Sequence, residues 1–214
     1  MPIRTPHQHL VELHPDDLRP TQISVGLAEV EAKRAEWRAL KRKEREQRLA
    51  SHWFPCVLGP RGRAYIVDHH HLGLALQREG VDRCFGVVLQ DYAWLDAATF
   101  WRTMEFHQWV HPFDEQGVRR TMDEIPKRLG DLRDDPYRSL VGFVRGAGGF
   151  SKDATPYAEF LWADFFRSRL PLVRVMDERE TALADALALA VSPVARYLPG
   201  WTGSAARTPG TPTS

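Results

Sequence analysis

Asp68, His69, His70 and His71 stand together in the stretch "YIVDHHHLGLAL", residues 65–76. Imidazoles can donate to an anion and change charge near neutral pH. A carboxylate beside them can cap a helix, take a proton or hold a divalent cation. An apolar run ends at Asp68 and a leucine-rich periodic run begins after it, so the four residues mark a strand-to-helix junction. With Asp68 at the N-cap, its carboxylate would accept from the N–H of His70 or His71. The first-turn N–H groups would then make an anion site. A carboxylate beside a phosphate repels it unless a cation intervenes, which points to Mg²⁺ at Asp68 or to Asp68 as a general base. On this reading Asp68, His70 and His71 carry catalysis, and His69, His70 and His71 bind phosphate. The bland alternative is that Asp68 only caps the helix while one histidine faces the core with a satisfied ring nitrogen. Zinc fits less well: neighbouring helical residues diverge by about 100°, and no Cys or further His at a fixed spacing completes a tetrahedral set.

The elements that must position these groups are legible around them. "PCVL" (55–58), "GPRGR" (59–63) and "AYIVD" (64–68) read as strand, turn, strand. "HHLGLALQREG" (70–80) reads as a helix with Gly80 as its C-terminal stop. "DRCFGVVLQDY" (82–92) reads as a strand, as does "HLVEL" (9–13). "HPDDLRPTQ" (14–22) is a turn punctuated by Pro15 and Pro20. Leu27, Val30, Trp37, Leu40 and Leu49 fall mostly at helical spacing, which predicts one long helical segment from about Gly26 to Ser51. Its basic stretch "KRKEREQR" (41–48) is either a solvated face with i,i+4 pairs or a nucleic-acid contact through Lys41, Arg42, Lys43 and Arg45. The order is β–α–β–β–α–β.

The second half changes character. Segments 96–110, 125–132, 136–148, 156–170 and 177–192 all carry helical patterns. Asp96 and Asp177 suit N-caps, and Pro136 and Pro156 suit first turns. "GAGGFSK" (146–152) follows a helix rather than a strand, so it reads as a C-cap and turn and not as a phosphate loop. Arg138 and Arg145 share a helix face and, with Asp134 and Asp135, predict an internal salt network; the alternative is part of a site facing the α/β unit. Trp162, Phe165 and Phe166 read as core.

The 214 residues are 43% hydrophobic and 27% charged with a formal net charge of +1, an ordinary globular composition with no overall pull toward nucleic acid. Cys56 and Cys84 lie in apolar runs, which fits buried reduced thiols in a cytoplasmic protein. "MPIRTPHQHLVELHPDD" has no apolar core of the kind a signal peptide needs, and no run is long enough for a membrane helix.

The order "LRPTQ…VG…EV…K", then "GRAYIVDHHHLGLAL", then a closing strand resembles the ParB-like domain of the ParB/sulfiredoxin superfamily over about residues 9–92. "DDPYRSLVGFVRGAGGF…EFLWADFFR" resembles the helical extension of the branch known as ParB-like nucleases, to about residue 170. The resemblance implies a strand–turn–helix motif that holds nucleotide phosphates. Members variously hydrolyse CTP while clamping DNA, phosphorylate serine, or use ATP to repair an oxidised cysteine. Here His69 stands at the motif's glycine and Leu72 at its arginine. No cysteine falls in the motif, and Gln22 stands where the serine kinases have a glutamate. The loop carrying Asp17, Arg19, Thr21 and Gln22 is the one that closes over the ligand in this superfamily.

Together these readings predict an α/β (α+β) protein. A small mixed-sheet ParB-like domain spans 1–95, a helical extension 96–200 and a flexible tail 201–214. The expected function is binding of a nucleotide or phosphorylated small molecule, with Mg²⁺, and phosphoryl transfer or hydrolysis at the junction. Thr21, Gln22 and Arg63 are expected to assist phosphate binding. The alternative is a DNA-associated, partition-like binding protein without catalysis. No membrane partner is expected.

Overall fold

The computed structural model of the chain describes residues 9–203. In order these form β1 (His9–Leu13), β2 (Ser24–Val25), α1 (Leu27–Ala39), α2 (Arg42–Ser51), β3 (Phe54–Gly59), β4 (Arg63–Ile66), α3 (His70–Arg78), β5 (Cys84–Asp91), α4 (Ala97–Phe106) and β6 (Arg133–Asp134). The helices α5 (Pro136–Gly146), α6 (Ala158–Arg167), α7 (Leu172–Asp177) and α8 (Arg179–Val191) follow. No described helix is long and apolar enough to cross a membrane.

The chain divides into two compact units, with the boundary between Asp134 and Asp135. In the first, four strands make a mixed sheet in the order β1-β5-β3-β4. β5 is antiparallel to β1 and parallel to β3, and β3 is antiparallel to β4. β2 pairs with β6 in a separate parallel ribbon. Successive strand side chains point to opposite faces, and here both faces are apolar. β4 sends Ala64 and Ile66 into one cluster with Phe54, Cys56, Leu74, Leu76, Val30 and Trp37. It sends Tyr65 toward the other, with Val57, Phe100 and Met104. A sheet apolar on both sides must be covered twice, by α1 and α3 on one face and by α4 on the other. This is why α4 and the chain up to Asp134 belong with the sheet, whereas the change of character at Asp96 predicts a boundary there.

The predicted hairpin is present, with Gly59 opposite Arg63 and a tight turn at Pro60–Gly62. The predicted helix after it is present at 70–78, and its end is set by Gly80 at φ 64. The Gly80 N–H donates to Gln77 O and the Val81 N–H to Leu76 O, both at 3.1 Å, which is the Schellman arrangement.

Several elements differ from the sequence pattern. The long helix predicted over 26–51 breaks at Leu40, whose backbone is extended. Arg45 stabilises the break by donating to the carbonyls of Trp37 and Arg38, both at 3.1 Å, at the end of α1. Glu44 accepts the Lys41 N–H at 2.7 Å and so starts α2. β4 ends at Ile66 rather than Asp68. The pattern at 125–132 yields only a 3₁₀ turn, Leu129–Asp131, because Pro126 and Gly130 interrupt it. Asp177 ends α7 and does not cap α8; Glu178 precedes α8. Pro156 lies before the start of α6. Of the predicted tail, residues 204–214 lie outside the described residues.

In the second unit Asp135 caps α5, accepting the Tyr137 N–H at 3.0 Å, with Pro136 in the first turn. Trp162, Phe165 and Phe166 of α6 are buried against Leu140, Val141 and Val144 of α5 and Ala186 and Ala190 of α8. Arg138 and Arg145 converge on Glu159 of α6, a partner that the sequence pattern does not name. Of the predicted carboxylates, Asp135 pairs with Arg167 and Asp134 accepts the Leu27 N–H.

Two stability outcomes follow. Ala at position 80 meets open space but keeps φ near 64, so Gly80→Ala is expected to cost about 1 kcal/mol in urea denaturation. Asp114, buried, accepts from the N–H of Gln116 and Val118 at 2.9 Å and from Arg120 Nε at 2.6 Å. Burial alone would push its carboxyl up, but the Val118, Arg120 and Gln116 donors outweigh burial and hold it below the usual range. A depressed carboxyl stabilises the fold above its unfolded pKa and loses that contribution as pH falls through its folded value. Asp114→Asn is therefore expected to cost about 1–3 kcal/mol at neutral pH. The gap to the parent should narrow in acid; a gap independent of pH would contradict this.

Candidate functional site

The junction between β4 and α3 is built by a segment that crosses it, Leu18–Gly26. Arg19 is laced to the free edge of β4: its N–H donates to Ala64 O at 2.8 Å, and its carbonyl accepts the Ile66 N–H at 2.9 Å. Two residues on, the Thr21 hydroxyl donates to Ile66 O at 2.8 Å. The segment then turns away from the sheet into β2 and the start of α1.

His70 and His71 hold this segment at two points. The Thr21 N–H donates to His70 Nε2 at 3.1 Å, and the Gly26 N–H donates to His71 Nε2 at 3.1 Å. A backbone N–H can only donate, so each Nε2 is an unprotonated acceptor and each proton sits on Nδ1. Both histidines are buried, at 4% and 8% exposure. Adjacent helical residues diverge by about 100°, which lets one pair of side chains reach two separate points of one loop. The bland alternative turns one histidine toward the core; the structure buries two. Their Nε2 atoms accept from the protein backbone.

Asp68 and His69 are the exposed members. Asp68 is not the N-cap, because β4 stops short and the chain makes one more turn. The N-cap is His69, and Asp68 Oδ1 accepts the His69 N–H at 2.6 Å. His69 has φ 64, in the left-handed region that favours glycine. This is the position where the motif that the sequence resembles has glycine, which fits the left-handed backbone found here. The His69 ring meets Phe54 edge-on, with centroids 6.3 Å apart.

The remaining predicted groups divide. Thr21 comes to the junction, where it is buried and engaged; Gln22 is also buried, but its Nε2 donates within its own segment, to Ser24 O at 2.7 Å. Arg63 does not come to it. It pairs with Gly59 at the end of β4 away from the junction. Lys41, Arg42 and Lys43 are exposed at the start of α2, with Arg42 3.4 Å from Glu46. Arg45 is spent on the α1 terminus and lies 5.5 Å from the Trp37 ring. Burial pushes the Cys56 thiol up to about 11 and the Cys84 thiol up to about 12, so neither is a nucleophile at neutral pH. Glu29, which the sequence pattern does not single out, lies against His71: its Oε2 is 3.6 Å from Nε2. Only the packing of α1 on α3 makes them neighbours.

With this geometry in hand, the family model described as "Putative ParB-like nuclease" matches residues 11–168. The chain belongs to that family. The ParB-like resemblance of the sequence is thereby shown, and it runs from the first strand through α6. The crystal structure of protein Atu1540 from Agrobacterium tumefaciens is similar at 46% identity and a TM-score of 0.84, covering 91% of this chain and 98% of that one. No curated protein matches the chain. The ParB-like nuclease family points to a function connected with nucleotides or nucleic acid.

The two kinds of histidine are expected to separate in denaturation experiments. His70→Ala strands the buried Thr21 N–H and opens a cavity, at a cost of about 2 kcal/mol or more. His69→Gly relieves the left-handed backbone and should stay within about 1 kcal/mol of the parent. Equal losses for both would contradict the assignment.

Proposed function

We propose that this ParB-like protein binds a nucleotide or another phosphate ester at the exposed β4–α3 junction and carries out phosphoryl transfer or hydrolysis there. The observation that carries the reading is His69. A non-glycine residue held at φ 64 costs about 1 kcal/mol or more, and this exposed residue is tied by its backbone N–H to the exposed Asp68 carboxylate at the start of a helix. Backbone strain retained at an exposed polar pair is what a ligand-contacting position looks like.

In this reading Asp68 and His69 meet the ligand. The Asp68 carboxylate takes a proton from the attacking hydroxyl or water, and His69 donates to a phosphate oxygen. His70 and His71 act one step back. They hold Thr21 and Gly26 so that the crossing segment borders the site, and the Thr21 and Gln22 side chains set its shape. Among the described residues no cluster of three or more His, Cys, Asp or Glu could hold a metal. Mg²⁺ often needs only one or two carboxylates, with waters and substrate phosphates filling the remaining positions, so Asp68 fits such an ion. When bound, the ion would neutralise the charge between carboxylate and phosphate.

The test is a thermal-shift and turnover screen of nucleoside triphosphates and simple phosphodiesters, with and without Mg²⁺. The parent should be stabilised by at least one Mg²⁺-dependent ligand. Asp68→Asn should keep its stability within about 1 kcal/mol, since the amide oxygen can still accept the His69 N–H. It should lose turnover by about 100-fold or more, because an amide cannot take a proton. An Asp68→Asn protein that turns over ligand like the parent would refute the reading.

A further inference from the structure

Gly26 is the N-cap of α1, and Glu29 is the third residue of that helix. A glutamate at this position ordinarily reaches back to accept the N-cap N–H, closing a capping box. Here the Gly26 N–H goes instead to His71 Nε2 at 3.1 Å. Glu29 Oε2, displaced from that role, lies 3.6 Å from the same Nε2 and has no hydrogen-bond partner although the atom is buried. A carboxylate oxygen and an acceptor nitrogen therefore face each other across a gap that one proton would close. We propose that Glu29 and His71 form a proton-operated latch at the head of α1. Proton uptake on His71 Nε2 moves the Gly26 N–H from the imidazole to the Glu29 carboxylate and creates a His71–Glu29 ion pair.

The proton balance is simple. One proton comes from solvent and binds Nε2, which then donates to Glu29. The Gly26 N–H keeps its hydrogen and changes acceptor. Charged groups lie on each element packed around the head of α3. On α1 they are Glu29 and Lys33, whose Nζ lies 3.5 Å from Glu29 Oε1. Asp134 of β6 accepts the Leu27 N–H at 2.8 Å. On the turns packed against α3, Asp131 is paired with Arg128, and Asp16 accepts from Gln77. Lys33 and the dipole of α3 oppose a second positive charge here, and Glu29 and Asp134 favour it. The latch joins α1 to α3 whether or not a phosphate binds at Asp68, so it stands apart from the functional reading above.

The experiment uses full-length, ligand-free, ¹⁵N-labelled protein. The His71 ring nitrogens and the Gly26 amide are followed by NMR from about pH 8 to about pH 5. In the parent the Gly26 amide resonance is expected to move with the same midpoint as the His71 ring, an outcome that needs no variant. In Glu29→Gln the proton affinity of His71 is expected to fall at least about tenfold. In His71→Asn, which cannot titrate, the Gly26 amide should stay fixed across the range. A Gly26 amide that stays still while His71 titrates would overturn the proposal. So would an unchanged midpoint in Glu29→Gln, or a His71 ring that stays neutral throughout.

Discussion

Two backbone N–H groups five residues apart, those of Thr21 and Gly26, end on the Nε2 atoms of adjacent histidines. Much else in the first unit depends on this pair of contacts. Each N–H is buried, and stranding one costs about 1–3 kcal/mol. The two together are a sizeable part of a typical stability of about 5–15 kcal/mol. The contacts fix the segment that edges β4, set where α1 begins, and bring Glu29 onto α3. They also dictate the charge of the histidines, because a ring that accepts a backbone N–H must be neutral at that nitrogen.

The same arrangement separates function from support within one run of like residues. His70 and His71 turn inward because the first turn of α3 lies under the crossing segment. Asp68 and His69 remain outside because β4 ends two residues before Asp68 and the chain must reverse to start the helix. The reversal is made in the left-handed region, and the Asp68 carboxylate holds it by accepting the His69 N–H. Strain of about 1 kcal/mol at His69 is small beside the two buried acceptors that fix its neighbours. The junction can thus carry a side chain facing solvent at a backbone conformation that favours glycine.

Much of this fold is legible in the sequence. The hairpin and α3 show because the apolar period changes from two to about 3.6 across Asp68, and Gly80 marks the end. The shared face of Arg138 and Arg145 shows because seven residues return to the same side of a helix, but their partner Glu159 does not, since it comes from α6 by tertiary packing. The break at Leu40 does not show, since Arg45, in a run that reads as surface charge, acts as a C-terminal cap for α1. The turn at 129–131 replaces a helix because Pro126 and Gly130 outweigh an apolar period. The inward turn of His70 and His71 is hidden because polarity says nothing about which ring atom a distant N–H will find. Glu29 is hidden because it meets His71 only through tertiary packing. Arg63 looks close to Asp68 in sequence, but an extended strand carries it away.

The most direct test is a through-hydrogen-bond NMR experiment on the parent protein at neutral pH. Scalar coupling across N–H···N bonds should be seen between the Thr21 amide nitrogen and His70 Nε2, and between the Gly26 amide nitrogen and His71 Nε2. Both couplings, with both Nδ1 atoms protonated, are the expected result. A protonated Nε2 on either ring, or ring signals of a freely exposed histidine at position 70 or 71, would contradict the account.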